Sequence, residues 1–211
     1  HQRPGLRQGI QPIRGEGRSM NMYRVSFVEH WRKWRDDEDS TLEELFSNVE
    51  SEAMRAGTAF HKAIELAAPG EHDRIEANGY AFDVPGEILL PSSGLKEVRL
   101  CKAYLVDGKP VTITGQVDEI HGRQVVDHKT TARFDPDRFL SGYQWRFYLD
   151  IFGADIFRWN VFEIAEVGDR QYEVRAHHRL EQYRYPGLGR DCQQLVGEFA
   201  RFIRSVESEL V

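Results

Sequence analysis

The chain has 211 residues, 40% of them hydrophobic and 29% charged, which is typical of a globular domain with a full hydrophobic core. No apolar run approaches the roughly 20 residues that a membrane-spanning helix needs. The net charge of -6 argues against a protein that holds nucleic acid by bulk attraction to phosphates. It is compatible with an enzyme whose acidic site is neutralised by a divalent cation.

The cysteines and the first residues exclude further classes. Cys101 and Cys192 are far apart, so the chain cannot build a zinc ribbon or a four-cysteine iron–sulfur cluster by itself. Residues 1–18 are rich in arginine and glycine and lack the apolar segment of a signal peptide. We therefore expect a flexible tail, in part a remnant of expression cloning, and a cytoplasmic location. A basic arm that touches DNA is the alternative for this tail.

The segment after the tail is predicted to be helical. Apolar residues at near-helical spacing predict an amphipathic helix over residues 23–35. Ser40 and Glu43 match a capping box. The apolar stripe that follows predicts one long helix, or two abutting helices, as far as Ala68. Residues 71–93 contain prolines and glycines and are predicted to be irregular.

The hydrophobic period then changes to two, which predicts strands. Asp135 followed by proline predicts the start of a helix, which ends before Gly153. The order of elements predicts one domain over residues 19–211, of the α/β (α+β) class, with a mixed central β-sheet flanked by helices. The predicted strands are 98–106, 111–120, 123–131, 156–164 and 172–179, and the predicted later helices are 136–152 and 187–210.

The most informative stretch is a predicted β-hairpin that carries two aspartates. A two-residue turn at residues 121–122 would set Asp118 opposite Val125. Because side chains alternate along a strand, Asp118, Asp127 and Lys129 would then project from one face, with both carboxylates near one ion. Mg²⁺ is commonly held by one or two carboxylates, and a neighbouring lysine can orient an attacking water and help deprotonate it. The alternative is a solvated strand face with an ion pair.

Two motifs in this hairpin resemble a known family. Residues 115–118 (GQVD) and 126–131 (VDHKTT) are similar to the core of the RecB-like branch of the PD-(D/E)XK nucleases, which includes lambda-exonuclease relatives. The resemblance implies a restriction-endonuclease-like core, with Asp118 and Asp127 as metal ligands and Lys129 as the catalytic lysine. It implies Mg²⁺ or Mn²⁺ as the cofactor, and no iron–sulfur cluster is expected.

Residues on flanking helices extend the resemblance. His61 matches the family's G-x-x-x-H helix, whose histidine contacts the metal, although a satisfied core histidine is the alternative. Glu65 either holds His61 in place or is a solvated helix residue. Gln144 and Tyr148 match the family's Q-x-x-x-Y helix, which implies contacts to DNA phosphate and to the surroundings of the lysine; a core tyrosine is the alternative. The backbone carbonyl of His128 can also face the metal.

Together these features predict a divalent-metal-dependent DNA nuclease, an exonuclease in recombination, repair or phage DNA metabolism that hydrolyses phosphodiester bonds. A structure- or site-specific endonuclease and a non-catalytic DNA-binding or assembly subunit stay open as alternatives. The expected partners are linear DNA and a recombination or single-strand annealing protein, with no membrane. Three arginines near the proposed site are candidates for contacts to DNA phosphates: Arg133, Arg138 and Arg146.

Overall fold

The structure is a computed structural model that describes residues 21–47, 49–90 and 94–209. The predicted tail over residues 1–18 lies outside the described residues. Within them, eight strands form one mixed sheet, and helices flank it. In chain order the elements are β1 (Met22–Arg24), α1 (Val25–Arg35), α2 (Leu42–Phe46), α3 (Glu52–Leu66), β2 (Arg74–Ala77), β3 (Tyr80–Asp83), β4 (Leu95–Val106), β5 (Lys109–His121), β6 (Gln124–Thr131), α4 (Pro136–Leu140), α5 (Gln144–Phe152), β7 (Ile156–Gly168), β8 (Gln171–Tyr183) and α6 (Leu188–Glu209).

The arrangement around β5 positions the site. β4 pairs antiparallel with β5 along nearly its whole length, so β1 and β6 share the other side of β5. β1 pairs with residues 112–114 and β6 with residues 119–121. Between these two stretches, that side of β5 has no strand partner among the described residues. The sheet continues from β6 to β7 and β8, and then to the β2–β3 hairpin.

The core consists of two apolar clusters on opposite faces of the sheet. Period-two alternation on β7 sends Val161 into the larger cluster and Phe162 into the smaller one. α1, α5 and α6 supply the helical side of the larger cluster, and α3 supplies that of the smaller one. The predicted class, a mixed α/β fold with a mixed sheet flanked by helices, is therefore confirmed. None of the described helices is long and apolar enough to cross a membrane.

The turn of the β5–β6 hairpin differs from the prediction. Residues 122–123 form the turn in place of the predicted pair 121–122, so that His121 pairs with Gln124. Gly122 has a φ of +58°, a left-handed conformation that costs glycine little. The local sequence allowed both turns, and the observed one shifts the register by two residues.

The shift changes which residues stand opposite each other. Val125 pairs with Ile120, so the prediction that Val125 stands opposite Asp118 was wrong. When the register is continued, Asp127 lies level with Asp118, although the backbone pairing ends one residue earlier. Because the shift is even, each side chain stays on its predicted face. The two aspartates therefore still project from the same side of the hairpin.

The predicted capping box was wrong by one residue. The Thr41 side chain accepts the backbone N–H of Glu44, and the Glu44 carboxylate accepts the backbone N–H of Thr41. This box starts α2, which is separate from α3, so the alternative of two helices is the correct one. The predicted first helix starts only at Val25, because residues 22–24 pair with β5 instead.

The segment predicted to be irregular contains a β-hairpin. β2 and β3 pair antiparallel around Asn78 and Gly79, which both have positive φ values, 53° and 78°. An Asn-Gly pair is the strongest short sequence signal for a two-residue hairpin turn. The signal was therefore present in the sequence and was overlooked.

The helix predicted over residues 136–152 is divided into α4 and α5. The break lies where the chain packs against the buried carboxylate of Glu29, whose Oε2 accepts the Tyr143 N–H at 2.9 Å. A Cβ atom at Gly142 would lie 3.1 Å from Oε1 of the same carboxylate. A contact between distant parts of the chain thus interrupts a helix that local propensity would continue.

Candidate active site

Two aspartates meet where β5 and β6 separate, a point that we call the fork and define by Asp118, Asp127 and His128. Backbone pairing ends at Glu119 and Val126, and the Asp118 carboxylate then replaces it, because its Oδ2 accepts the His128 N–H at 2.5 Å. In an antiparallel pair a residue directs its N–H and its carbonyl to the same neighbouring strand. By this rule the His128 carbonyl faces the same gap as its N–H, and its contact with a metal stays a prediction.

Asp127 is buried in the fork with one oxygen unsatisfied. Its side chain is 6% exposed, and Lys129 Nζ lies 2.7 Å from Oδ2. The contact is an ion pair by distance but lacks the angle of a hydrogen bond, so Oδ2 has no hydrogen-bond partner among the described residues. Lys129 balances the charge of this oxygen, but burial of the carboxylate beside a second acid is costly, and apolar packing does not account for it.

His61 approaches the fork from α3. Its Nδ1 lies 3.3 Å from Oδ1 of Asp118, and its side chain is 29% exposed, so it is not a core histidine. Gly57, one turn earlier, allows the helix to come close to β6, since a Cβ there would lie 3.1 Å from Oγ1 of Thr130. In the helical motif, the glycine thus lets α3 come close to β6, and the histidine then reaches Asp118 in the fork.

Glu65 pairs with Lys62 and not with His61, the partner that the sequence suggested. Its carboxylate accepts a hydrogen bond from Lys62 Nζ at 2.7 Å, one turn earlier on α3. The side chain is 31% exposed. This placement corresponds to the alternative of a solvated helix residue.

Tyr148 and Gln144 lie beside the fork on α5. The Tyr148 ring is buried, stacks on Phe157 with ring centroids 5.7 Å apart, and accepts a hydrogen bond on its hydroxyl from Gln144 Nε2 at 3.2 Å. A Cβ at Gly115 would lie 2.9 Å from Cε1 of Tyr148, so the glycine of the first hairpin motif makes room for this ring. Burial, and then the charge of Asp127, raise the pKa of Tyr148 to about 12.

The two acids of the fork have pKa values shifted in opposite directions. Burial opposes ionisation of Asp118, but the hydrogen bond to His61 and nearby positive charge hold the pKa of this carboxyl well below its usual range. Burial raises the pKa of Asp127, and the charge of Asp118 adds to that rise against the effect of Lys129. Burial would lower the pKa of Lys129, but the two aspartates raise it above its usual value. Two like charges this close favour the binding of a cation.

The donor atoms of the fork suit a hard divalent cation. Two carboxylates and a main-chain carbonyl are oxygen donors, His61 adds an imidazole, and Asp127 Oδ2 lacks a hydrogen bond. In the part of the chain that the structure describes, no three histidine, cysteine, aspartate or glutamate side chains form a complete cluster for a metal ion. Mg²⁺ needs no such cluster, because it keeps several waters and takes ligands from substrate phosphate.

A cavity of about 210 Å³ adjoins Tyr148 and was missed in the sequence. Arg24 and Arg99 line it, and Arg99 donates to Gln116 Oε1 at 2.5 Å. Many other arginines form ion pairs with carboxylates. Among the described residues, Arg24 and Arg99 form no such pair. No sequence signal marks the cavity, because β1 and β4 bring distant residues together.

The three arginines proposed as phosphate contacts have different surroundings. Arg146 donates to the carbonyl of Gly142 at 2.8 Å and to the Tyr185 hydroxyl at 3.2 Å, so its guanidinium is held by the protein. Arg133 and Arg138 are exposed, on the loop after β6 and on α4. Contacts to phosphate stay a prediction for all three.

Comparison with known proteins gives a likeness in structure and none in sequence family. Neither a scan against protein-family models nor a search of curated proteins found a match. The chain is similar to the solved structure of SSO0001, with a TM-score of 0.54 and 14% sequence identity over 89% of this chain and 79% of that chain. At this identity the likeness supports the mixed α/β fold alone.

Proposed function

We propose that the protein is a divalent-metal-dependent nuclease that hydrolyses phosphodiester bonds in DNA, with the restriction-endonuclease-like core of the RecB-like PD-(D/E)XK branch. The observation that carries the proposal is the fork itself. A buried carboxylate oxygen of Asp127 lacks a hydrogen bond beside a second carboxylate, while Lys129 and His61 approach the same point. A hard cation explains this combination better than a structural ion pair does.

Four groups would hold Mg²⁺ or Mn²⁺ in this proposal: the carboxylates of Asp118 and Asp127, the His61 imidazole and the carbonyl of His128. When bound, the cation supplies Lewis-acid polarisation of a phosphoryl oxygen. Lys129 is a charged donor 2.7 Å from Asp127, and it orients the attacking water and stabilises negative charge that develops on the phosphate.

Residues beside the fork would bind the DNA strand. Gln144 and Tyr148 place an amide and a hydroxyl next to the acids, and the Tyr148 cavity contains Arg24 and Arg99. Guanidinium groups without carboxylate partners suit backbone phosphates, which they contact without regard to base sequence. Linear DNA as the substrate, a role in recombination, repair or phage DNA metabolism, and a recombination or annealing partner belong to the proposal through the sequence resemblance.

The proposal is tested with end-labelled linear DNA and circular DNA in Mg²⁺, Mn²⁺ or EDTA. We expect metal-dependent cleavage of linear DNA, which is lost in EDTA and in Lys129→Ala. Lys102→Ala is the matched control, because Lys102 also pairs with a buried aspartate, Asp150, at 2.8 Å. Absence of cleavage with both metals would overturn the proposal, and full activity of Lys129→Ala would overturn the role of that lysine. Equal cleavage of circles would identify an endonuclease.

A further inference from the structure

Buried polar side chains are concentrated behind the fork. Five polar or charged residues are buried among the described residues, and Glu119, His128 and Asn160 are three of them, with exposures of 2%, 2% and 3%. Burial of polar groups costs free energy unless they are paired, and apolar residues of similar volume often give equal or greater stability. Three such residues on adjacent strands therefore indicate a task other than stability.

These residues belong to one hydrogen-bonded chain, the polar chain, which crosses β5, β6, β7 and β8. His121 Nε2 lies 2.7 Å from Glu119 Oε2, and His128 Nε2 lies 3.4 Å from Glu119 Oε1. Asn160 Nδ2 lies 3.4 Å from His128 Nδ1, and His177 Nε2 lies 3.3 Å from Asn160 Oδ1. An amide donor at Nδ1 makes that atom of the His128 ring the acceptor, so Nε2 carries the proton and donates to Glu119.

The polar chain is coupled to the fork through the backbone. Glu119 follows Asp118, and His128 follows Asp127, so alternation puts their side chains on the opposite face of the sheet. Backbone pairing of β5 with β6 ends at Glu119. Beyond that point His128 still joins the strands by two hydrogen bonds among the described residues: its N–H donates to Asp118 Oδ2, and its ring contacts Glu119 Oε1.

The hydrogen bonds to the His128 ring therefore act on a backbone segment at the fork. The ring is held by Glu119 from β5 and by Asn160 from β7, while the amide and the carbonyl of the same residue face the gap between the acids. If the ring moved, β6 would stay paired with β7, but beyond Val126 its contact with β5 would be reduced to the His128 N–H on Asp118. The distance between the two aspartates would then be less closely fixed.

We propose that Glu119 and Asn160 are positioning residues that set the spacing of the Asp118 and Asp127 carboxylates through His128. The inference rests on the proposed function in that the two carboxylates bind a divalent cation. Hydrogen-bond partners of metal ligands typically change metal affinity by about 10- to 100-fold when they are removed. Glu119 and Asn160 would act in this way without touching metal or substrate.

The test compares Glu119→Gln with a matched control, Asp150→Asn. Asp150 is also an acid with a side chain that is only 6% exposed and with both oxygens bonded, but its partners lie on β4 and its neighbour Gly189 on α6. Mn²⁺ binding is measured by electron paramagnetic resonance of the free ion. We expect about 10- to 100-fold weaker binding for Glu119→Gln and unchanged binding for Asp150→Asn. Unchanged binding in a folded Glu119→Gln protein would overturn the inference.

A second measurement needs no metal. Hydrogen exchange of the His128 amide is followed by NMR in metal-free protein, relative to the Val161 amide on β7. Because the polar chain holds that amide against Asp118, we expect about tenfold faster relative exchange in Glu119→Gln, equivalent to a loss of about 1.4 kcal/mol. The ratio in Asp150→Asn stays that of the wild type. An unchanged exchange ratio in Glu119→Gln would contradict the inference, whether or not the wild type binds Mn²⁺. Absence of Mn²⁺ binding by the wild type would overturn the proposed function.

Asn160→Leu is a second, independent variant in case Glu119→Gln does not fold. It replaces the amide with an apolar group of similar volume and leaves Nδ1 of His128 without its donor. We expect the same two changes, with weaker Mn²⁺ binding and faster relative exchange of the His128 amide. Wild-type values for both in the folded Asn160→Leu protein would overturn the role of Asn160.

Discussion

Two buried acid–lysine pairs in the molecule differ in one respect. Asp127 and Asp150 each have a side chain that is 6% exposed, and their lysine partners, Lys129 and Lys102, lie at 2.7 and 2.8 Å. The Asp150 carboxylate also accepts the Tyr104 hydroxyl at 2.7 Å, so both of its oxygens are satisfied. Among the described residues no hydrogen bond reaches the buried Oδ2 of Asp127, whose contact with Lys129 is an ion pair by distance, and a second carboxylate is nearby.

The difference separates an acid buried for stability from one available for chemistry. A structural pair satisfies every polar atom, because an unsatisfied one costs about 1–3 kcal/mol. An acid that stays unsatisfied beside another acid carries an unfavourable energy that a cation would relieve. The comparison predicts opposite responses of the two sites to the same substitution.

The largest expected effect is on cleavage. Asp127→Asn removes a proposed metal ligand, and we expect a loss of about a thousandfold in rate, since metal stabilisation of a transition state is worth several kcal/mol. Asp150→Asn keeps a rate close to that of the wild type. Initial rates on end-labelled linear DNA in Mn²⁺ measure both, and equal losses in the two variants would remove the distinction between the sites.

The next effect is stabilisation by metal. Mn²⁺ at a hundred times its dissociation constant should raise the free energy of unfolding of the wild type by about 2.7 kcal/mol, because it binds only the folded protein. Asp150→Asn should gain a similar amount, whereas Asp127→Asn should gain little. Urea unfolding with Mn²⁺ and with EDTA gives the values. A full gain in Asp127→Asn would exclude that residue as a ligand.

A third effect concerns stability without metal. We expect Asp150→Asn to lower the free energy of unfolding by about 1–3 kcal/mol, because Lys102 and the Tyr104 hydroxyl lose a charged acceptor. Asp127→Asn should cost less, because it also removes repulsion between two acids. Urea unfolding in EDTA at neutral pH compares them. A greater loss for Asp127→Asn would show that the fork is held together by its ion pair.

The smallest effect concerns His177, a partly buried base that has no acidic partner among the described residues. Burial, and then the charge of Arg179, lower the pKa of His177 to about 4. The unfolded chain, with an ordinary histidine pKa of about 6.5, binds the proton first, so stability present above pH 6.5 is lost as pH falls toward 4. His177→Gln should reduce the loss between pH 7 and 4.5 by about 1 kcal/mol, a value discounted for the partial exposure of the ring.

Urea unfolding at the two pH values measures that loss, with His178→Gln as the control. The His178 ring is on the opposite face of the sheet and pairs with Glu163 at 3.1 Å. We expect His178→Gln to retain the acid sensitivity that is assigned to His177. A loss of stability in His177→Gln as large as that in the wild type would contradict the assignment.

Local sequence patterns were sufficient for much of the fold. Period-two alternation predicted the strands from β4 to β8, and an even-numbered error in register left Asp118 and Asp127 on one face. The Asn78–Gly79 turn could also have been found, since its signal is local. The position of the capping box could not be found from the local sequence, because Ser40 and Thr41 both precede a glutamate by three residues. A distant contact distinguishes them: Trp34 Nε1 donates to the Thr41 carbonyl at 2.7 Å.

By itself, the sequence determined the mixed sheet flanked by helices and the shared face of Asp118, Asp127 and Lys129, because these follow from the periods of helix and strand. Only the tertiary structure decided that β1 and β6 leave a gap along β5, and that His61 enters it. The unsatisfied oxygen of Asp127, the arginine-lined cavity and the polar chain are also tertiary features. Each depends on which distant segments pack together, and the period of a single segment carries no information about its partner.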